Sequence, residues 1–163
     1  MINLGKFETC VCKARGIPHR ICYEALTFEE NGKKVKLTPK QGEQAWAIVL
    51  DGCVCNDGNP RCDGLFLFRH RNRKVVILVE LKGVLIEQAF KQLAFTRYER
   101  LEYREVKELF AEKSQVSEMA FIISNYIPSK RELVRLENSN KIRVKQILHS
   151  EATKPIPELR RYL

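Results

Sequence analysis

The chain has 163 residues, of which 44% are hydrophobic, so it has enough apolar material for a single domain, 1–163, with one core. No stretch approaches the roughly 20 apolar residues that span a membrane. Residues 1–13 also lack the apolar region of a secretory signal, so we expect a soluble, cytoplasmic protein with no membrane partner. The 29 Lys and Arg exceed the 20 Asp and Glu, giving a net charge of +9. That excess favours a polyanionic partner such as nucleic acid, although a solvated basic surface would show the same composition.

The first predicted element is a β-hairpin over residues 20–38. Two apolar runs flank the segment Glu30-Asn31-Gly32. Asn-Gly between two such runs is typical of a type I′ turn.

A helix is predicted next, from Thr38 to about Leu50. Thr38 is a good N-cap, Pro39 suits the first helical position, and Gln41 completes a capping box. Glu43 would then lie on or beside the buried face of this helix.

The rest of the chain alternates between strand and helix signals. A loop rich in turn formers covers 51–62, and the cationic run 69–74 is predicted to be a turn. The predicted strands and helices follow in chain order: strands over 64–68 and 74–82, helices over 84–98 and 104–111, a strand over 119–124, a short helix over 130–136, a strand over 142–148 and an extended tail over 150–163.

The strand over 74–82 is apolar and β-branched until it ends in Glu80-Leu81-Lys82. Side chains alternate along a strand, so Glu80 and Lys82 project from one face and Leu81 from the other. Ionised side chains are rarely buried unless they are paired or bound to something. An acid and a base side by side, with Asp63 one hairpin upstream, therefore indicate a divalent-metal site with a neighbouring general base.

Asp63, the strand–turn–strand unit, the Glu-Leu-Lys segment and the following helix resemble the PD-(D/E)xK nuclease superfamily, which includes restriction endonucleases and archaeal Holliday-junction resolvases. The resemblance covers about 38–98 and extends loosely to the strand over 119–124. It implies an α/β fold with a restriction-endonuclease-like αβββαβ core over about 38–125, in which helices flank a mixed central sheet. Cys62 stands where the family has a proline, and the interval before Asp63 shows little strand character.

The resemblance also implies chemistry, namely Mg²⁺- or Mn²⁺-dependent hydrolysis of DNA by an endonuclease that acts as a homodimer. Asp63 and Glu80 would be metal ligands, Leu81 would add its main-chain carbonyl, and Lys82 would position or activate the water. Two further family positions, an acid on the first helix and a glutamine on the later helix, are filled by Glu43 and by Gln88 or Gln92. The alternative is a catalytically inactive nucleic-acid-binding module of the same fold.

Basic side chains around the predicted hairpin turn are candidate phosphate contacts, although a solvated turn would have the same composition. The candidates for nucleic-acid binding are Arg69, Arg71, Arg73, Lys74 and Arg97.

Six cysteines in a basic chain suggest a further possibility, a cysteine-bound metal or iron–sulfur protein. They are Cys10, Cys12, Cys22, Cys53, Cys55 and Cys62. Their spacing matches no known zinc motif. Several alternatives therefore stay open: a composite Zn²⁺ or iron–sulfur site, a tetrad of Cys10, Cys12, His19 and Cys22, one to three disulfides, or buried free thiols.

Overall fold

The structure is a computed structural model that describes residues 2–17 and 19–163. The chain is an α/β protein with a three-stranded antiparallel sheet and a five-stranded mixed sheet. The strands are β1 Cys22–Glu24, β2 Thr27–Glu30, β3 Lys33–Lys36, β4 Glu43–Val49, β5 Gly64–His70, β6 Arg73–Leu81, β7 Ser117–Ser124 and β8 Gln146–His149. The helices are α1 Ile86–Glu99, α2 Leu101–Ala111 and α3 Lys130–Asn140, with 3₁₀ helices at Gly5–Cys10 and Leu159–Tyr162.

The five-stranded sheet follows chain order from β4 to β8. Strands β4, β5 and β6 form an antiparallel meander, whereas β7 and β8 run parallel to β6. A parallel neighbour requires a long crossover connection, and α1 and α2 provide it between β6 and β7. Strand β6 is therefore central and buried on both faces, which explains its continuous apolar run.

The two faces of this sheet contact different layers. Val76 and Leu78 of β6 belong to the core shared with α1, α2 and α3. Val75, Ile77 and Val79 belong to the core shared with the small sheet and the C-terminal segment. Even-numbered positions of β6, including Glu80, consequently face the helices.

Gly64 lets the small sheet approach the large one. A Cβ atom there would lie 2.6 Å from the Phe28 ring and 2.9 Å from the Ile48 carbonyl oxygen. Phe28 instead packs on Phe66, with ring centroids 4.8 Å apart. Glu30 lies two residues after Phe28, on the same face of β2, so this close packing brings Glu30 towards the start of β5.

The helix predicted from Thr38 to Leu50 is wrong. Residues 43–49 form β4, which pairs with β5 along its whole length. Gly42 has a positive φ of 82° and begins the strand after a turn, a conformation that a helix does not admit. The local capping signals at Thr38 are overridden by the gain from pairing an apolar segment with a central sheet.

Other predicted elements need smaller changes. The Asn31-Gly32 turn is confirmed by positive φ at both residues, and β1 adds a third strand to that hairpin. The predicted cationic turn shrinks to Arg71 and Asn72, since β5 and β6 extend to meet it. The predicted tail is anchored: Glu158 pairs with Lys36, and a 3₁₀ helix ends the chain.

Candidate metal and active site

The candidate site lies where β5 begins and β6 ends. Gly64 pairs with Val79, so the antiparallel register places Asp63 beside Glu80. The Asp63 backbone N–H donates to Glu80 Oε2 at 3.0 Å, and the Leu81 backbone N–H donates to Asp63 Oδ2 at 2.7 Å. Each carboxylate is thus held by the backbone of the neighbouring strand, which fixes both side chains in position.

Both carboxylates are buried, with Glu80 0% and Asp63 7% exposed. Burial and the adjacent Glu80 raise the pKa of Asp63 well above its usual range. Burial also raises the pKa of Glu80 to about 8, even though the ammonium of Lys82 acts in the opposite direction. Two buried carboxylates that disfavour each other's ionisation are stabilised by a bound cation.

Lys82 supplies the base predicted beside the acids. Its Nζ lies 3.3 Å from Glu80 Oε1, and its side chain is 23% exposed. The two groups form an ion pair without hydrogen-bond geometry, so the buried Oε1 has no hydrogen-bond partner within the described residues. An acceptor oxygen that is buried and unsatisfied suits a hard divalent cation, which binds oxygen ligands.

Glu30 is a third carboxylate at this site, and no pattern in the sequence singled it out. It raises the pKa of both Asp63 and Glu80 through its charge. It comes from the tip of the small-sheet hairpin. Only the packing of Phe28 over Gly64 reveals its position, and that packing has no signature in sequence.

Glu43 is not part of the site, and this prediction is wrong. Glu43 pairs with His70, whereas Val49 at the other end of β4 pairs with Gly64 next to Asp63. Its carboxylate accepts hydrogen bonds from Arg160, at 2.7 Å to Nε and 2.5 Å to Nη2. Arg160 lowers the pKa of Glu43 to about 2. This ion pair attaches the C-terminal segment to the start of β4.

The predicted glutamines lie on α1, beside the loop that precedes Asp63. Gln88 and Gln92 line a cleft of ≈ 430 Å³ between α1 and the loop residues 51 and 58–61. Gln92 Oε1 is buried without a hydrogen-bond partner among the described residues. The Cys62 N–H donates to Thr96 Oγ1 at 2.8 Å, so α1 is attached directly to the residue before Asp63.

Three of the predicted nucleic-acid contacts, Arg69, Arg71 and Arg73, lie at the opposite end of the β5–β6 hairpin, and Arg97 lies on α1. Arg71 and Arg73 are exposed. Arg69 is bound to Gln44, and Arg97 lies 3.7 Å from Glu118. Arg69 and Arg97 therefore already have polar partners within the protein.

The prediction that Lys74 binds nucleic acid is wrong. Lys74 is buried, and its Nζ donates to the carbonyl oxygens of Phe110 and Ala111, each at 2.9 Å, and to Glu112 Oε2 at 2.7 Å. Those contacts use all the donors of the ammonium group. The side chain joins the end of α2 to β6.

The cysteines form two disulfides, Cys10–Cys53 and Cys12–Cys22, and Cys55 and Cys62 are buried free thiols. Burial raises the pKa of Cys55 to about 11 and that of Cys62 well above its usual range, so both stay protonated at neutral pH.

The predicted Cys10–Cys12–His19–Cys22 tetrad is wrong, because the metal-ligating atoms that converge belong to Cys10, His19 and Cys53. These atoms lie within 4.8 Å of one another, and they could hold a metal ion once the Cys10–Cys53 disulfide is reduced.

Neither family models, curated proteins nor solved structures give a match to this chain. Within residues 2–17 and 19–163, no helix has the length and apolar character needed to cross a membrane.

Proposed function

We propose that the protein is a metal-dependent nuclease of the PD-(D/E)xK class that hydrolyses phosphodiester bonds in DNA. One observation carries the proposal: Asp63 and Glu80 meet at the end of a central hairpin with Lys82 3.3 Å from Glu80. Two adjacent buried acids beside a single ammonium carry uncompensated charge when both ionise, and a bound cation would offset that charge, which favours a binding role over a structural one.

The order of the large sheet supports the same class. An antiparallel meander, a helix and a parallel strand follow each other as β4, β5, β6, α1 and β7. This order is compatible with the βββαβ part of the core that the resemblance implies, in which Asp63 precedes the second strand and Glu80-Leu81-Lys82 ends the third. The helix that the resemblance implies before the meander is absent between Thr38 and Leu50, where the chain forms β4.

The residues fit a divalent cation by the nature of their donors. Asp63 and Glu80 would hold it through the oxygens that their backbone hydrogen bonds leave free, and the Leu81 carbonyl would complete the protein ligands. When bound, Mg²⁺ would neutralise the negative charge that develops on the phosphate and would lower the pKa of a bound water. Lys82, partly exposed beside Glu80, would orient the attacking water by donating a hydrogen bond to its oxygen.

Glu30 and Gln92 are further candidates for contacts with water or substrate. Glu30 approaches from the small sheet, close enough for its charge to raise the pKa of both Asp63 and Glu80. Gln92 lies on α1, where its buried oxygen has no hydrogen-bond partner among the described residues and could accept a hydrogen bond from a water or from substrate. The net charge of +9 favours a polyanionic substrate, for which we propose DNA. A homodimer would place one active site at each strand of the duplex.

The test is cleavage of supercoiled plasmid and of branched DNA with Mg²⁺ or Mn²⁺. Wild type is compared with Glu80→Gln and Asp63→Asn, which keep the side-chain shapes. Glu87→Gln is the matched control because Glu87 is an exposed glutamate in the first turn of α1. We expect metal-dependent cleavage by wild type and by the control only.

DNA binding without cleavage by any variant on any substrate would instead favour the inactive binding module. Cleavage that survives both Glu80→Gln and Asp63→Asn would show that the activity belongs to another site.

A further inference from the structure

We infer that Cys10, Cys53 and His19 form a redox-gated site for a borderline-soft divalent metal such as Zn²⁺, separate from the carboxylate site. The disulfide form is closed to metal, and the dithiol form is the binding form.

The ligand atoms are already assembled. The two sulfurs and an imidazole nitrogen of His19 lie within 4.8 Å of one another. In a tetrahedral zinc site each Zn–S distance is about 2.3 Å, which places the two sulfurs about 3.8 Å apart. After reduction, metal binding therefore requires the two side chains to separate only slightly. The Cα atoms of Cys10 and Cys53 are 5.7 Å apart, a separation that side-chain rotation alone converts from one state to the other.

The backbone holds each ligand independently of the Cys10–Cys53 bond. After Cys10, the Cys12 N–H donates to the Ala47 carbonyl at 2.8 Å, which attaches the N-terminal segment to β4. Cys53 lies in a tight turn, in which its N–H donates to the Leu50 carbonyl at 3.3 Å. Reduction therefore leaves both thiols near each other.

His19 lies between Cys12 and Cys22. Backbone hydrogen bonds position this loop independently of the Cys12–Cys22 disulfide, since the Gly16 N–H donates to the Cys22 carbonyl and the Cys12 N–H donates to the Ala47 carbonyl. The loop is therefore expected to hold His19 in place when reduction opens both disulfides. The Cys22 N–H donates to the His19 carbonyl at 2.9 Å, which fixes the backbone of the histidine. Two sulfurs and one imidazole are soft and borderline donors, which favour Zn²⁺ over Mg²⁺ and leave the fourth position to water.

The chemical step balances. A dithiol reductant supplies two electrons and two protons, its own thiols close to a disulfide, and the Cys10–Cys53 bond opens to two thiols. Zn²⁺ then binds the two thiolates and the neutral imidazole, and the two thiol protons pass to solvent.

The site would act on the loop that borders the candidate active site. Cys53 belongs to the segment between β4 and Asp63, the same segment that lines the cleft beside Gln88 and Gln92. Either the disulfide or the metal attaches this loop to the N-terminal 3₁₀ helix.

The experiment titrates Co²⁺, as a spectroscopic substitute for Zn²⁺, into protein that has been reduced with dithiothreitol and desalted without oxygen. Thiolate-to-cobalt charge-transfer absorption reports sulfur ligands and ignores a carboxylate site. We expect one equivalent to bind reduced wild type and to be displaced by Zn²⁺. Oxidised wild type should bind at least about 100-fold more weakly, since even changes outside the ligand shell cost 10- to 100-fold.

Two variants define the ligand set. His19→Ala keeps all six cysteines, so its folding can be checked in the oxidised form, and its reduced form should lose at least about 100-fold in affinity. The double variant Cys12→Ser/Cys22→Ser is the control and should bind as reduced wild type does.

Three results would overturn the proposal. They are the absence of charge-transfer absorption in reduced wild type, undiminished binding by reduced His19→Ala, and a loss in the Cys12→Ser/Cys22→Ser control as large as that in His19→Ala.

Discussion

The two ends of the β5–β6 hairpin each bury an ionisable side chain, Lys74 or Glu80, and the difference between their environments separates structure from function. At the turn end, the Lys74 ammonium donates to two carbonyl oxygens and one carboxylate. At the other end, Glu80 receives one backbone N–H and keeps a buried oxygen without a hydrogen-bond partner in the described chain. A fully satisfied buried charge is explained by packing alone, whereas an unsatisfied one points to a ligand.

The largest effect is expected from Glu80→Gln. Loss of one ligand charge should reduce metal-dependent cleavage by about 1,000-fold. Stability in the absence of metal should be kept, because Glu80 with a pKa of about 8 is largely protonated at neutral pH and glutamine has the same shape. Paired measurements of cleavage rate and denaturant midpoint check this. A large loss of stability would mean that Glu80 is a structural residue like Lys74.

Lys82→Met should reduce the cleavage rate by about 100-fold, since a positioned proton-transfer group typically contributes that much or more. The apparent affinity for Mg²⁺ should change little, because Lys82 is not a proposed ligand. Metal titrations at saturating DNA measure both quantities. Equal losses in Mg²⁺ affinity and in rate would place Lys82 in the metal-binding set instead.

Lys74→Met is the matched change at the turn end. In contrast to Glu80→Gln, it should lower stability and leave cleavage unchanged. Removing the ammonium leaves two carbonyl oxygens without their donor, so the free energy of unfolding should fall by about 1–3 kcal/mol. Cleavage under conditions where the variant is folded should match wild type. A specific loss of DNA binding by the folded variant would return Lys74 to the nucleic-acid surface.

The pH dependence of stability sharpens the contrast. Burial raises the pKa of Glu80 from its ordinary value of 4.5 to about 8, so between these values the folded protein keeps a proton that the unfolded chain releases. This contribution to stability is complete below pH about 4.5 and is lost as pH rises through about 8. Denaturant titrations of metal-free protein should show that decline, and Glu80→Gln should flatten it. A stability that rises over this range in wild type would contradict the assignment.

The smallest effect is expected at the exposed tip of the hairpin. Strand β5, Gly64–His70, lies between Asp63 and Arg71, so at about 3.3 Å per residue the two residues are about 25 Å apart. Arg71→Ala should leave cleavage at saturation unchanged and reduce the salt dependence of DNA binding by about one phosphate contact. Filter binding over a range of salt concentrations measures this slope, and an unchanged slope would remove the tip from the interface.

The sequence predicts the site better than the fold around it. Alternation along β6 and the hairpin spacing place Asp63, Glu80 and Lys82 together, because strand register is a local property. Glu43 was misplaced because capping signals at Thr38 are local, while the pairing of β4 with β5 is a long-range interaction. Glu30 was missed for the same reason, since its approach depends on Phe28 packing over a glycine.

Cysteine pairing is equally invisible in sequence. Cys10 and Cys53 are separated by 43 positions and meet only because the N-terminal segment pairs with β4. Six cysteines allow many pairings, and spacing alone selects none of them. The convergence of His19 with this pair likewise depends on the tertiary structure.

The most direct test of the central claim is anomalous scattering from crystals soaked in Mn²⁺. We predict a Mn²⁺ peak bound by the carboxylates of Asp63 and Glu80 in wild type, and its loss in Glu80→Gln crystals of the same form. The account would be contradicted if wild-type crystals, soaked at a Mn²⁺ concentration that supports cleavage, showed no anomalous peak between these two side chains.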